Sequence, residues 1–176
     1  MNPSEHKTYW KNAAIRHKSI AHVDETSIHF CTFGPEAVLT ELKNINSPMI
    51  ALQEPEYSPI DNDSDNVMLQ LNGGALILKK CNSADWTQIE AAGNEMFEIA
   101  WDMVTKLKND RRKAFDSAQP SPENLIKHLQ LNSIRLTPVG PVFDGWFGWI
   151  VNHVISTNKS DQLDESKWED ETKWTF

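Results

Sequence analysis

Between Asp85 and Lys113 the apolar residues Ile89, Ala92, Met96, Ala100, Met103 and Leu107 recur every three or four positions, with Phe97 and Val104 beside them. This spacing predicts one amphipathic helix of about eight turns, with Glu90, Glu95, Glu98 and Asp102 on its other side. Acids come early and cations late: the run from Lys106 to Lys113 ends the stripe where the helix dipole is negative. A helix this long buries one side only. The rest of the chain must therefore supply an apolar surface to cover it.

Strands are the natural supplier. Residues 28–33 and 49–53 read as short strands, and residues 133–139 and 146–156 as a strand pair with Asp144-Gly145 at the turn. In the last strand Phe147, Trp149, Val151, His153 and Ile155 share one face, and Trp146, Gly148, Ile150, Asn152 and Val154 the other. Residues 67–80 are strongly apolar around Asn72-Gly73-Gly74, which fits either a type I′ hairpin or one strand with a glycine bulge. A helix over residues 4–20, capped by Ser4, precedes the first strand. A second, with Val38, Leu39, Leu42 and Ile45 as its stripe, follows Gly34-Pro35. A short one starts at Ser121-Pro122 and runs to Leu129. Residues 54–66 read as a polar loop. The expected fold class is α+β: a mostly antiparallel sheet packed by helices, including the long one at about 85–113. The 176 residues suit one such domain over 1–157, followed by an acidic segment, 158–176, that carries Trp168 and Trp174.

Composition narrows the chemistry. Net charge is −8 with only four Arg, which opposes the phosphate neutralisation that nucleic-acid binding requires. No apolar run approaches the ~20 residues of a membrane span, and Met1–His6 lacks a leader pattern, so a soluble cytoplasmic protein is expected. Asp61-Asn62-Asp63-Ser64-Asp65-Asn66 begins like a calcium loop. It then puts Asn66 where the turn needs Gly and Asn72 where a bidentate Glu belongs. The six His include no His-x-x-x-His pair, Cys31 and Cys81 have no C-x-x-C spacing, and neither a hydrolase elbow nor a phosphate loop occurs. No catalytic residue, cofactor or metal is expected. The least ordinary feature is the aromatic run Phe143, Trp146, Phe147 and Trp149. It reads either as the apolar centre of an interface or as rings packed under the long helix.

Two segments carry a family resemblance. One is the helix Tyr9-Trp10-Lys11-Asn12 running into Arg16-His17-Lys18. The other is Val139-Gly140-Pro141-Val142-Phe143-Asp144 followed by Phe147-Gly148-Trp149. With the order of elements, they resemble phage and prophage tail-terminator and tail-completion proteins, and in particular an uncharacterised group of Bacteroidetes prophage proteins. The resemblance implies a non-enzymatic structural protein forming a homo-oligomeric ring with other tail proteins at the end of a tail tube, in the bacterial cytoplasm or the virion. Segment 158–176 is not part of that pattern. A small-ligand- or protein-binding domain, with Trp146 and Trp149 as lining, and an enzyme with a dispersed site are the alternatives.

Overall fold

The computed structural model describes residues 1–33, 45–60, 66–116, 126–142 and 145–160. Helix α1, Pro3–Arg16, is capped by Asn2 and not by Ser4. The Asn2 side chain accepts from the Glu5 N–H at 2.9 Å, and Glu5 accepts from the Asn2 N–H at 2.7 Å. Two amides otherwise orphaned at a helix start are thereby satisfied, and Pro3, with its preset φ, fills the first helical position. His6, Tyr9, Trp10, Ala13 and Ala14 form the buried side. The helix stops short of residue 20, because His17 leaves helical geometry and Ala21 takes a φ of 48°.

Strands β1 (Phe30–Phe33), β2 (Met49–Gln53), β3 (Glu56–Ile60) and β4 (Asn66–Lys80) follow. Then come helix α2 (Trp86–Asp116), a 3₁₀ turn at Leu131–Ser133, β5 (Arg135–Val142) and β6 (Trp146–Ser160). The sheet order is β1-β2-β4-β6-β5, with β3 also paired to β4. Only β1 and β2 run parallel; the other pairings are antiparallel. The fold is α+β, a six-stranded, mostly antiparallel sheet covered by helices including one long one, as the pattern implies.

Residues 66–80 form one strand, paired without a break from Asn66↔Ser160 to Lys80↔Trp146. The irregularity lies in its other neighbour. Leu52 faces Ala75 and Glu56 faces Asn72, so Gln53, Glu54 and Pro55 stand against only Gly74 and Gly73. Pro55 has no N–H for the ladder, and the extra residue separates β2 from β3 along the same edge of β4. Strand β3 is thus found where a polar loop is expected. It is a short exposed strand interrupted by Pro59, whose alternation is too weak to stand out. Strand β6 continues to Ser160, past the expected boundary at 157. The helix expected after Gly34-Pro35, the start of the one expected at Pro122, and residues 161–176 lie outside the described residues. Leu129, placed in that short helix by the sequence, instead bridges Ile155 of β6.

The two faces of the sheet bury different sets. Ile50, Leu52, Leu71, Ile77, Val151 and Ile155 pack against α1 and α2, chiefly Trp10, Met96, Ala100, Met103 and Leu107. Met49, Ala51, Leu76, Leu78 and Trp146 form a cluster on the far face. The two-residue alternation of β6 is therefore realised as read. Asp85 caps α2, accepting from the Gln88 N–H at 3.1 Å. Within α2, Gly93 has open space where a Cβ would stand. Gly93→Ala should therefore stabilise by about 0.5–1 kcal/mol through helix propensity, read as a higher denaturant midpoint with unchanged slope.

Candidate functional site

The aromatic run is committed to the interior. Trp146 is 2% exposed and Phe147 is buried. Trp149 donates from Nε1 to the Gly93 carbonyl at 2.8 Å and meets the Phe97 ring edge-on at 5.0 Å. The chain can approach this closely because position 148 is Gly: a Cβ there would lie 1.9 Å from the Ile77 carbonyl oxygen. Of the four residues read as an interface, Trp146 and Phe147 are buried, Trp149 is half-buried, and Phe143 lies outside the described residues. Trp149 packs beneath the long helix, whereas Trp146 is buried in the cluster on the opposite face of the sheet.

Two surfaces are open instead. On the face away from the helices, a concavity of about 690 Å³ lies over the centre of the sheet. The side-chain amides of Gln53, Asn72 and Asn152, the carboxylates of Glu54 and Glu56, and the Phe33 ring line it. Its floor is backbone at Gly73, Gly74 and His153. Amides both donate and accept, so this groove suits a polar or cationic ligand. Neither Trp146 nor Trp149 lines it.

The second surface is the outer side of the last turns of α2. Trp101, Lys108 and Phe115 are spaced by seven positions, which aligns them along the helix. Trp101 is 48% exposed, Phe115 53%, and nearby Leu131 41%. Lys108 sits over the Trp101 ring at 5.3 Å, while Arg111 and Lys127 sit over Phe115 at 5.0 and 5.5 Å. A cavity of about 560 Å³ between Lys108, Arg111, Arg112, Phe115 and Leu131 completes this ridge. The sequence reads these cations as partners of the helix dipole. The rings they stack on, and the continuation of the helix to Asp116, are what that reading misses.

Three polar clusters lie beneath or beside these surfaces. Tyr9 and Lys106 both bond Asp110, at 2.9 and 2.5 Å, tying α1 to α2 through a buried carboxylate. Lys106 thus serves Asp110 and not Asp102, which bonds His17 at 3.2 Å; Glu95 pairs with Lys79. At the edge of the fold His29 donates from Nδ1 to the Pro48 carbonyl at 2.5 Å and accepts from the Ser27 hydroxyl at 3.0 Å. That is a hydroxyl–imidazole relay, but the Ser27 and His29 amides are already spent on Val23 and His22, so they offer no oxyanion hole.

The third cluster is His6 and His153, whose Nε2 atoms are 2.9 Å apart in the core. His153 Nδ1 faces the Val151 carbonyl at 3.4 Å, which requires a proton there. Its Nε2 is then the acceptor, and His6 Nε2 the donor. His6 Nδ1 is left buried without a partner. Burial and, secondarily, the neighbouring His153 push the His6 pKa down to about 3; burial pushes His153 down to about 4 against the Val151 bond. The two rings are 147 positions apart, so no motif could reveal them. Gly73 makes room, since a Cβ there would lie 2.8 Å from both Nε2 atoms.

Among the described residues no group of three or more His, Cys, Asp or Glu could hold a metal ion, and no helix is long and apolar enough to cross a membrane. The calcium-like stretch 61–65 lies outside the described residues. Comparison with protein-family models, curated proteins and solved structures finds no match.

Proposed function

We propose that the chain is a non-enzymatic assembly protein of the tail-terminator kind, closing into a ring of copies at the end of a tail tube in the bacterial host or the virion. Beside the resemblance of its residue pattern, one observation carries the reading: the basic, aromatic ridge of α2. On a chain of net charge −8, exposed Trp101, Phe115 and Leu131 lie along the C-terminal half of α2 with Lys108, Arg111, Arg112 and Lys127, beside a single lining acid, Asp116. Aromatic and Arg side chains dominate interface centres. Contact through this helix suits the fold better than strand addition. At one edge of the sheet, β5 contains Pro138 and Pro141, which bring no N–H to a new ladder there. A head-to-tail contact of this kind generates a ring when its rotation closes.

Light scattering at high concentration, and electron microscopy with candidate tube protein, should show ring-sized particles. Arg111→Glu with Phe115→Ser should return them to monomers while the circular dichroism spectrum stays unchanged. A chain that remains monomeric at every concentration and never decorates a tube contradicts the reading. The polar groove favours a second one, a binding domain for a small polar or cationic ligand. A thermal shift with such a compound, lost in Asn72→Ala, would favour it.

A further inference from the structure

We infer that the groove over the far face of the sheet is a binding site for a guanidinium group, carried by an arginine-like small molecule or by an arginine side chain of a partner. The inference rests on the second reading above and names the ligand class of that site. It begins from a switch in the sheet's own pattern. On the far face β2 presents Met49, Ala51 and Gln53, and β4 presents Leu78, Leu76, Gly74 and Asn72. Beside them β6 presents Trp146, Gly148, Ile150, Asn152 and Val154. As far as Ala51, Leu76 and Ile150 this face is apolar and forms one cluster. At the next level of all three strands, Gln53, Gly74 and Asn152, it turns to amides and bare backbone. Burial gains nothing from the change, because aliphatic side chains at that level would extend the cluster.

One glycine is given over to the arrangement. A Cβ at Gly74 would fall on Gln53 Oε1 and stand 3.0 Å from Ile150 Cδ1, so glycine is what lets the Gln53 amide lie across the sheet. Gln53, Asn72 and Asn152 are half-buried, and among the described residues none of their side-chain amides has a hydrogen-bond partner. A half-buried amide without a partner gives up part of its hydration, which the polar groups of a ligand restore.

The rest of the lining sets the charge and shape of that ligand. Glu54 and Glu56 stand on one side, with no ion-pair partner among the described residues, and the described lining includes no Lys or Arg. Arg135, opposite Asn152 in the register, spends its guanidinium on the Asn132 and Ile134 carbonyls. An anion would therefore meet two carboxylates and no free cation. A divalent metal needs several oxygens closing on one point. The acceptors here are instead spread over neighbouring strands, about 10 Å at the usual strand spacing. A guanidinium, planar, weakly hydrated and rich in N–H donors, suits such a spread better than a compact, strongly hydrated ammonium. The carboxylates take the guanidinium. The amides of Asn72 and Asn152, which donate as well as accept, are left for polar groups further along the ligand.

Full-length ¹⁵N-labelled protein should be titrated, in about 0.15 M salt, with arginine and with its end-capped form, N-acetylarginine methylamide. The matching citrulline compounds, in which a neutral urea replaces the guanidinium, are the controls. We expect saturable shifts of the Gln53, Asn72 and Asn152 side-chain amide signals, with an affinity about tenfold above that of the citrulline counterpart. Glu54→Gln/Glu56→Gln, which keeps the shape of two exposed side chains, should weaken binding about tenfold. Asn72→Ala/Asn152→Ala should weaken it severalfold, read at Gln53. Tighter binding of free arginine identifies a small molecule as the source, and tighter binding of the capped form a partner's side chain; either supports the inference. Equal affinity for the citrulline compounds, or indifference to the Glu54→Gln/Glu56→Gln exchange, would overturn it. Shifts of the same amides with choline or a hexose, but not with arginine, would remove the guanidinium and leave the polar-groove reading standing. Silence towards all these compounds would remove both.

Discussion

Ala100→Asp is expected to lower the urea midpoint by about 2 M, a loss of about 4 kcal/mol at a typical slope of about 2 kcal/mol/M. Ala100 is wholly buried in the cluster between α2 and the sheet. Its neighbours there are apolar: Met96, Met103 and Val151 belong to the same cluster. A carboxylate introduced at this place has no cation to meet and must be desolvated or protonated, and either route costs several kcal/mol. The added volume also pushes the helix off a surface it approaches closely through small residues, Ala92 among them. Glu98→Ala, on the exposed side of the same helix, is the control and should change stability by less than about 0.5 kcal/mol. Equal midpoints for Ala100→Asp and wild type would mean that the stripe faces solvent.

That experiment tests the part of the fold most legible in the sequence. A helix of this length repeats its signal over eight turns, so the stripe from Ala92 to Leu107 identifies itself. The alternation of β6 does likewise, placing Val151 and Ile155 on the helix side and Trp146 and Ile150 on the other. Short or exposed elements carry little periodicity, and there the reading stops. Strand β3 is stabilised by pairing with β4, not by its own pattern. The end of α1 falls at His17, which turns extended with no Gly, Asn or Pro nearby to announce it. Whether Gly73-Gly74 is a turn or the flat centre of a strand depends on the partner that lies across from it. The candidate surfaces are harder still. The aromatic run is conspicuous in sequence because bulky rings are rare, but composition cannot say that Trp149 is held inward by the Gly93 carbonyl. The ridge is hidden because its cations satisfy the helix-dipole rule equally well. His6 and His153 have no local signature at all.

Acid should expose that histidine pair. Between pH 7.5 and pH 5 the folded state is expected to lose about 4 kcal/mol, about 2 for each ring. In the unfolded chain both imidazoles titrate near the ordinary value of 6.5, whereas in the fold they stay neutral until about pH 3 and 4. The sign follows from proton counting. Below 6.5 the unfolded state binds protons that the folded state refuses, so stability is full above that value and drains away as pH falls towards 4 and 3. The geometry explains the refusal. A proton on His6 Nδ1 would leave a buried charge without an acceptor, and one on His153 Nε2 would turn a 2.9 Å hydrogen bond into two opposed donors. Around the rings stand Trp10, with its ring 5.5 Å from His153, the Val151 carbonyl and the bare backbone of Gly73, and among the described residues no carboxylate bonds either ring. Carboxylates barely titrate in this window, so they do not imitate the effect. Chemical denaturation at half-unit pH steps reads it directly. His6→Leu/His153→Leu, which replaces both partners by apolar groups, should be markedly less sensitive to pH between 7.5 and 5. If that variant loses stability with acid as steeply as wild type, the protons are taken up elsewhere and the pair is not the acid-sensitive element.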